Sequence, residues 1–97
     1  MPVELQCHWR LADDTENSDG RIRNISIGGA QLFTDSEIAI DSEIVVEIVA
    51  PGGAEAVSIA GKISYTIEGA YGVRFIYRDG GGSRRLHEIV RRLTSAH

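Results

Sequence analysis

The feature that most constrains this 97-residue chain is a two-residue alternation of apolar and polar side chains, repeated in short blocks that end at glycine-containing turns. Val3, Leu5, Cys7, Trp9 and Leu11 fall on one side, and Glu4, Gln6, His8 and Arg10 on the other. That pattern is a half-buried strand. The polar run from Ala12 to Gly20 ends in Asp19-Gly20, which predicts a hairpin connection into a second strand from about Arg21 to Ile25. Gly28-Gly29 then interrupts the pattern before Ala30 to Phe33 resume it, as expected of a tight turn or bulge where backbone approaches something closely. Ile44 to Ala50 is a dense β-branched run closed by Pro51-Gly52-Gly53, and Val57, Ile59, Ile63 and Ile67 mark the next strand. After a reversal at Glu68-Gly69, Tyr71, Val73, Phe75 and Tyr77 alternate with Gly72, Arg74 and Ile76 as a last strand with an aromatic inner face.

About six strands at this spacing, with no helices between them, predict an all-β-dominated fold, either an antiparallel barrel or a sandwich; closing the barrel would remove its exposed edges. The period changes after Asp79. Gly80-Gly81-Gly82 reads as a hinge and Ser83 as a helix N-cap, followed by Leu86, Ile89, Val90 and Leu93 at the spacing of one apolar helix face. The expected organisation is one domain over residues 1–97: a barrel over about 2–78, a hinge at 79–82 and a C-terminal amphipathic α-helix over about 83–95.

A chain of this length buries roughly 60 to 65% of the surface that its unfolded form exposes, which leaves little room for a deep, multi-walled active site. The single cysteine, Cys7, cannot form an internal disulfide and reads as a small buried hydrophobe. With no long apolar run and no basic-then-apolar leader, neither a membrane span nor a secretion signal is expected, and the expected location is cytoplasmic. The net charge of -4 is unevenly spread: residues 1–68 hold 4 basic and 12 acidic side chains, and residues 69–97 hold 6 basic and 2 acidic. Binding to DNA or RNA needs a continuous basic face to displace counterions, so the acidic total excludes it, whereas a local basic patch still suits one small anion. Arg84, Arg85, Arg91 and Arg92 read as a solvated helix face.

Catalytic chemistry finds no foothold. Ser26, Ser58, Ser64 and Cys7 are potential nucleophiles, yet nothing in the pattern sets a histidine and an orienting acid beside any of them. Cys7 and His8 are adjacent on a strand and so face opposite sides, while His87 and His97 read as surface residues, so no metal site is expected. Asp13, Asp14, Glu16 and Asp19 lack calcium-loop spacing, and the glycine run at 80–82 lacks the lysine of a phosphate-binding loop. No enzyme is read in this chain, and no cofactor.

The segment Asn24-Ile25-Ser26-Ile27-Gly28-Gly29-Ala30, set between two strands, resembles the [D/N]-x-S-x-x-G signature of the PilZ-domain family, and Tyr71-Gly72-Val73-Arg74-Phe75 resembles its late Gly-Val-x-Phe strand. Together with strand count and helix, the resemblance runs from Pro2 to Leu93. It implies a six-stranded antiparallel barrel with a C-terminal helix that serves as a signalling or adaptor domain in bacterial cyclic di-GMP pathways. By the same resemblance Asn24, Ser26 and Gly29 contact a guanine edge of cyclic di-GMP, the candidate ligand. The family's second element, R-x-x-x-R ahead of the first strand, is not present: Met1 and Pro2 stand where it would end. Its arginines clamp phosphate and stack on guanine, so a ligand-binding form needs cations from Arg21, Arg23 or residues upstream of Met1 in a longer protein.

Asn24, Ser26 and Gly29 equally suit a plain turn, in which both side chains bond the local backbone and the glycine turns left-handed. Arg21 and Arg23 share a strand face by period two, and Arg74 lies opposite the inner face of its strand; each also suits solvent exposure. The alternative function is a nucleotide-independent protein-interaction domain for a motility or pilus-related partner, docking through the amphipathic helix.

Overall fold

A computed structural model describes residues 2–49 and 56–76, together with Glu88 and Arg91. The alternation resolves into six strands: β1 (Pro2–Leu11), β2 (Ser18–Ile25), β3 (Gly29–Phe33), β4 (Glu43–Val49), β5 (Ala56–Ile67) and β6 (Ala70–Ile76). They close into an antiparallel barrel in the order β1-β2-β3-β6-β5-β4, which decides between the barrel and sandwich readings. Each inward position meets inward positions on both neighbours, so the barrel fills with Ile22, Leu32, Ile44, Val46, Ile48 and Ile63, all fully buried. Burying each such side chain contributes roughly 1.5–3 kcal/mol. The expected hinge at 79–82 and helix at 83–95 fall outside the described residues, as do Pro51-Gly52-Gly53 and Tyr77.

Side-chain hydrogen bonds fasten one end of the barrel. The Trp9 indole Nε1 donates to Thr34 Oγ1 at 3.1 Å, and Thr34 Oγ1 donates to the Asp19 carbonyl at 3.0 Å. The Tyr71 hydroxyl donates to the Ser36 carbonyl at 3.0 Å and accepts from the Ile38 amide at 3.1 Å, holding Ile38 as a buried plug. The β1–β2 loop is braced by Arg10, whose guanidinium donates to the Asp14 carbonyl at 3.0 Å.

Two expectations from the alternation need correction. Asp19-Gly20 is not the hairpin turn, because β2 begins at Ser18 and Gly20 pairs with Cys7 inside the ladder. Glycine stands there for space: a Cβ would lie 2.8 Å from Leu32 Cδ1 and 3.2 Å from Trp9 Cδ1. Ile67 is not an inner residue either; it is 60% exposed. The β5–β6 register shifts between Ile63 and Tyr65, and one extra residue inverts the alternation beyond it. The reversal at Glu68-Gly69 stands as expected, with Gly69 at φ 74°.

At the opposite end β3 and β6 approach closely. Gly29 is the Cα partner of Arg74, and a Cβ on Gly29 would collide with the Val73 carbonyl oxygen. The next connection is also tied down, since the Phe75 amide donates to the Gly28 carbonyl at 2.9 Å.

Cys7 is buried as expected, and its thiol is pushed up from 9.0 to about 12, first by burial and then by the Asp19 carboxylate. The folded state therefore keeps a proton that the unfolded chain releases above pH 9.0, so this contribution to stability is intact below pH 9.0 and is lost as pH rises toward about 12. Urea titrations should show the wild type losing stability relative to Cys7→Ala as pH passes 9.0, and parallel curves would contradict this account. Glycine substitutions test the close approach. Gly29→Ala should cost about 1–3 kcal/mol, because backbone must shift. Gly28→Ala, whose Cβ would meet Ser26 Oγ no closer than 3.9 Å, should stay within about 0.5 kcal/mol by the same denaturation. Equal losses would show that contact with Val73 does not matter.

Candidate functional site

The outer face over β2, β3, β6 and β5 is shaped by two departures from regular pairing. In β2 the register shifts between Ile22 and Asn24: Ile22 pairs with Leu32, Asn24 with Gln31, and Arg23 is the extra residue. Strict alternation from Ile22 would turn Asn24 inward. The bulge instead leaves Arg23 and Asn24 both exposed and returns Ile25 to the core at 1% exposure. In β5 the shift makes Ser64 the extra residue, so that Tyr65 pairs with Gly72 and stays 42% exposed. Ser64 is held at the bulge by its hydroxyl, which donates to the Gly72 carbonyl at 3.1 Å.

Between these bulges β6 presents a bare backbone. Gly72 has no side chain, and a Cβ there would run into the Tyr65 ring, so the ring lies over β6 and reaches β3. Gln31 Nε2 donates to the Tyr65 hydroxyl at 3.4 Å, and Asn24 Nδ2 donates to Gln31 Oε1 at 2.7 Å. The Ser26–Gly29 turn closes the other side. The Ser26 amide donates to the Gly29 carbonyl at 2.8 Å, the Ser26 hydroxyl donates to the same carbonyl at 3.4 Å, and it accepts from the Gly28 amide at 3.3 Å.

The result is an open depression of about 380 Å³ whose lining includes Asn24, Ser26, Gly29, Gln31, Tyr65 and Arg74. Its size is at the small end of small-molecule sites, which run from about 300 to 1,000 Å³. Among the described residues, Arg74 is the one charged side chain in that lining, and no carboxylate shares it. Lys62 on β5 is the cross-strand Cα partner of Arg74 and, on its other side, of Glu43 on β4. The mixture of amide, hydroxyl, bare backbone, aromatic ring and guanidinium offers donors and acceptors to a base edge and a cation to an anion.

The structure thus brings Asn24, Ser26 and Gly29 together and sets Arg21 and Arg23 apart. Both arginines line a separate depression with His8, Asp19, Phe33 and Asp35. There Arg21 Nη1 lies 3.7 Å from Glu4 Oε1, and the Arg23 guanidinium sits 4.8 Å from the centre of the Phe33 ring. The bulge separates Arg23 from its neighbour: Arg23 turns toward Phe33 while Asn24 stays on the depression side. The turn reading holds for Ser26 in part, since its hydroxyl bonds the local backbone, whereas Asn24 bonds a side chain instead. A left-handed Gly29 is not found; among the described residues positive φ occurs at Asp41 and Gly69. Nor do the described residues hold a cluster of three or more His, Cys, Asp or Glu side chains fit for a metal ion.

Sequence reasoning missed Gln31 and Tyr65 and left Arg74 as an exposed strand residue. Tyr65 was hidden because unbroken alternation puts it inside, with Ile63 and Ile67. A signal was present in Gly72, since a glycine within a strand marks a place where another group comes close.

Comparison with known proteins supplies the family. A family model described as PilZ domain matches residues 1–92. Among solved structures, the crystal structure of the PilZ domain of CeSA from a cellulose synthesizing bacterium superposes with a TM-score of 0.79 at 16% identity, covering 97% of this chain and 96% of that one. At that identity the likeness speaks for the fold. No curated protein sequence matches the chain. With its closed six-stranded barrel, its N-x-S-x-x-G turn on the outer face and a family match over nearly its whole length, the chain belongs to the PilZ domain family, whose members are cyclic di-GMP signalling and adaptor domains.

Proposed function

We propose that this chain is a non-catalytic cyclic di-GMP module that receives one guanine and its phosphate in the depression over β2, β3, β6 and β5. The observation that carries this reading is the convergence of Asn24, Ser26, Gly29 and Arg74 on one open surface that holds no carboxylate among the described residues. Asn24 and Ser26 meet the base edge. The Ser26 hydroxyl bonds are long, at 3.3 and 3.4 Å, so the hydroxyl can exchange them for a ligand at little cost. Gly29 lets a flat ring lie against backbone, and Arg74 faces the phosphate, a charge-assisted contact of the stronger kind.

One arginine does not neutralise two phosphates. The affinity supplied by this surface alone is therefore modest and falls with ionic strength, and any further cation must come from outside the lining described. The apolar spacing over 83–95 supports a protein partner on that segment, which would make the domain an adaptor between messenger and target.

Isothermal titration with cyclic di-GMP at low and moderate salt tests the proposal. Binding should be measurable at low salt, weaken about five- to tenfold in Ser26→Ala, and weaken about tenfold with a shallower salt dependence in Arg74→Ala. Arg21→Ala and Arg23→Ala should leave it nearly unchanged, because they line the other depression. No heat at tens of micromolar ligand (roughly 6–7 kcal/mol of binding free energy) would favour the nucleotide-independent interaction domain. A loss that followed Arg23 instead of Arg74 would move the site.

A further inference from the structure

We propose that Gln31 sets which base the depression accepts, by holding the Asn24 amide with its carbonyl outward; this rests on the reading of the depression as a nucleotide site. Asn24 and Gln31 are Cα partners across β2 and β3, and both face outward because of the bulge at Arg23. The hydrogen bonds run in one direction. Asn24 Nδ2 donates to Gln31 Oε1 at 2.7 Å, and Gln31 Nε2 donates to the Tyr65 hydroxyl at 3.4 Å. Gln31 is engaged at both ends by groups on two different strands, so it reverses only if the Asn24 amide and the Tyr65 hydroxyl turn with it, and Tyr65 reaches it only because Gly72 leaves β6 bare.

An asparagine amide whose two ends are both free can turn to suit either purine. It can pair its oxygen and its nitrogen with the donor and acceptor that adenine presents side by side, or offer its oxygen to the adjacent N1–H and N2–H donors of guanine. Holding the nitrogen against Gln31 spends one of its two N–H donors and turns the oxygen toward the depression. The Asn24 oxygen then faces the depression as an acceptor and matches guanine, while the acceptor nitrogen of adenine has only the second N–H of an amide already held by Gln31 to pair with. Gln31 is thus a positioning residue: it acts through Asn24, and the quantity it controls is the ratio of guanine to adenine affinity.

The test compares cyclic di-GMP with cyclic di-AMP by titration calorimetry on the wild type, Gln31→Met and Gln31→Glu, with amide spectra of the free proteins alongside. The two ligands carry the same phosphates, so any added or lost charge cancels in the ratio. Methionine keeps the length but offers no comparable acceptor, and the guanine preference should fall about fivefold or more. Glutamate keeps an acceptor for Asn24 Nδ2 and another for the Tyr65 hydroxyl, so it should restore the preference even where both affinities drop. In the free wild type the Asn24 side-chain amide resonances should sit in a hydrogen-bonded position that Gln31→Met abolishes. A wild type that prefers cyclic di-GMP while Gln31→Met keeps that preference would overturn the role of Gln31 and leave the nucleotide reading standing. A wild type that binds neither ligand would overturn the reading itself, and this proposal with it.

Discussion

Everything on the outer face follows from the closeness of β6 to its neighbours. Gly29 admits the Val73 carbonyl where any other residue would place a Cβ, and Gly72 lies beneath the Tyr65 ring. Two strands whose side chains would normally be separated by the residues of an intervening strand therefore meet across it. Closure of the barrel adds to this constraint. Inner positions are committed to Ile, Val and Leu, so recognition has to be built from outward positions or from the ends. The plugged end, with Ile38 held beneath by Tyr71, is committed to stability. The end that carries the Ser26–Gly29 turn is where polar groups converge.

The bulges convert that geometry into chemistry. A strand that kept its period through β2 would bury an unsatisfied amide at Asn24 or push Ile25 into water, both of which cost free energy. One extra residue at Arg23 avoids both and sets an amide outward beside Gln31. The extra residue at Ser64 does the same for Tyr65. Such insertions bend and twist a strand locally, which is why they recur next to binding sites. The electrostatic consequence is a surface with, among the described residues, one arginine and no carboxylate in a chain whose net charge is -4, so attraction for an anion is local.

The strands were legible because burial and period agree wherever the ladder is regular: Leu5, Cys7 and Trp9, or Val57 and Ile59, are inner residues by spacing and in fact. Legibility failed where one residue was added. Ile67 continues the inward spacing yet lies outside because alternation is blind to a bulge, whereas Arg21 and Arg23 were grouped with Asn24 because the resemblance calls for cations beside the motif. Asp19-Gly20 misled for another reason: the dipeptide favours turns, yet packing of Leu32 and Trp9 against Gly20 overrides local preference. The N-x-S-x-x-G turn was legible as a motif, but Gln31 meets Tyr65 over Gly72, a glycine three strands further along the chain from Gln31, and the pairing of β3 with β6 that brings Arg74 beside the turn cannot be read from local order.

The most direct test of this account is a two-dimensional amide spectrum of the labelled protein recorded as cyclic di-GMP is added. The account predicts that the largest shifts fall on Ser26 through Gln31, Tyr65 and Gly72 through Arg74, with His8, Arg21 and Phe33 nearly still. Shifts centred instead on His8, Arg21 and Phe33, or a spectrum that does not change, would contradict it.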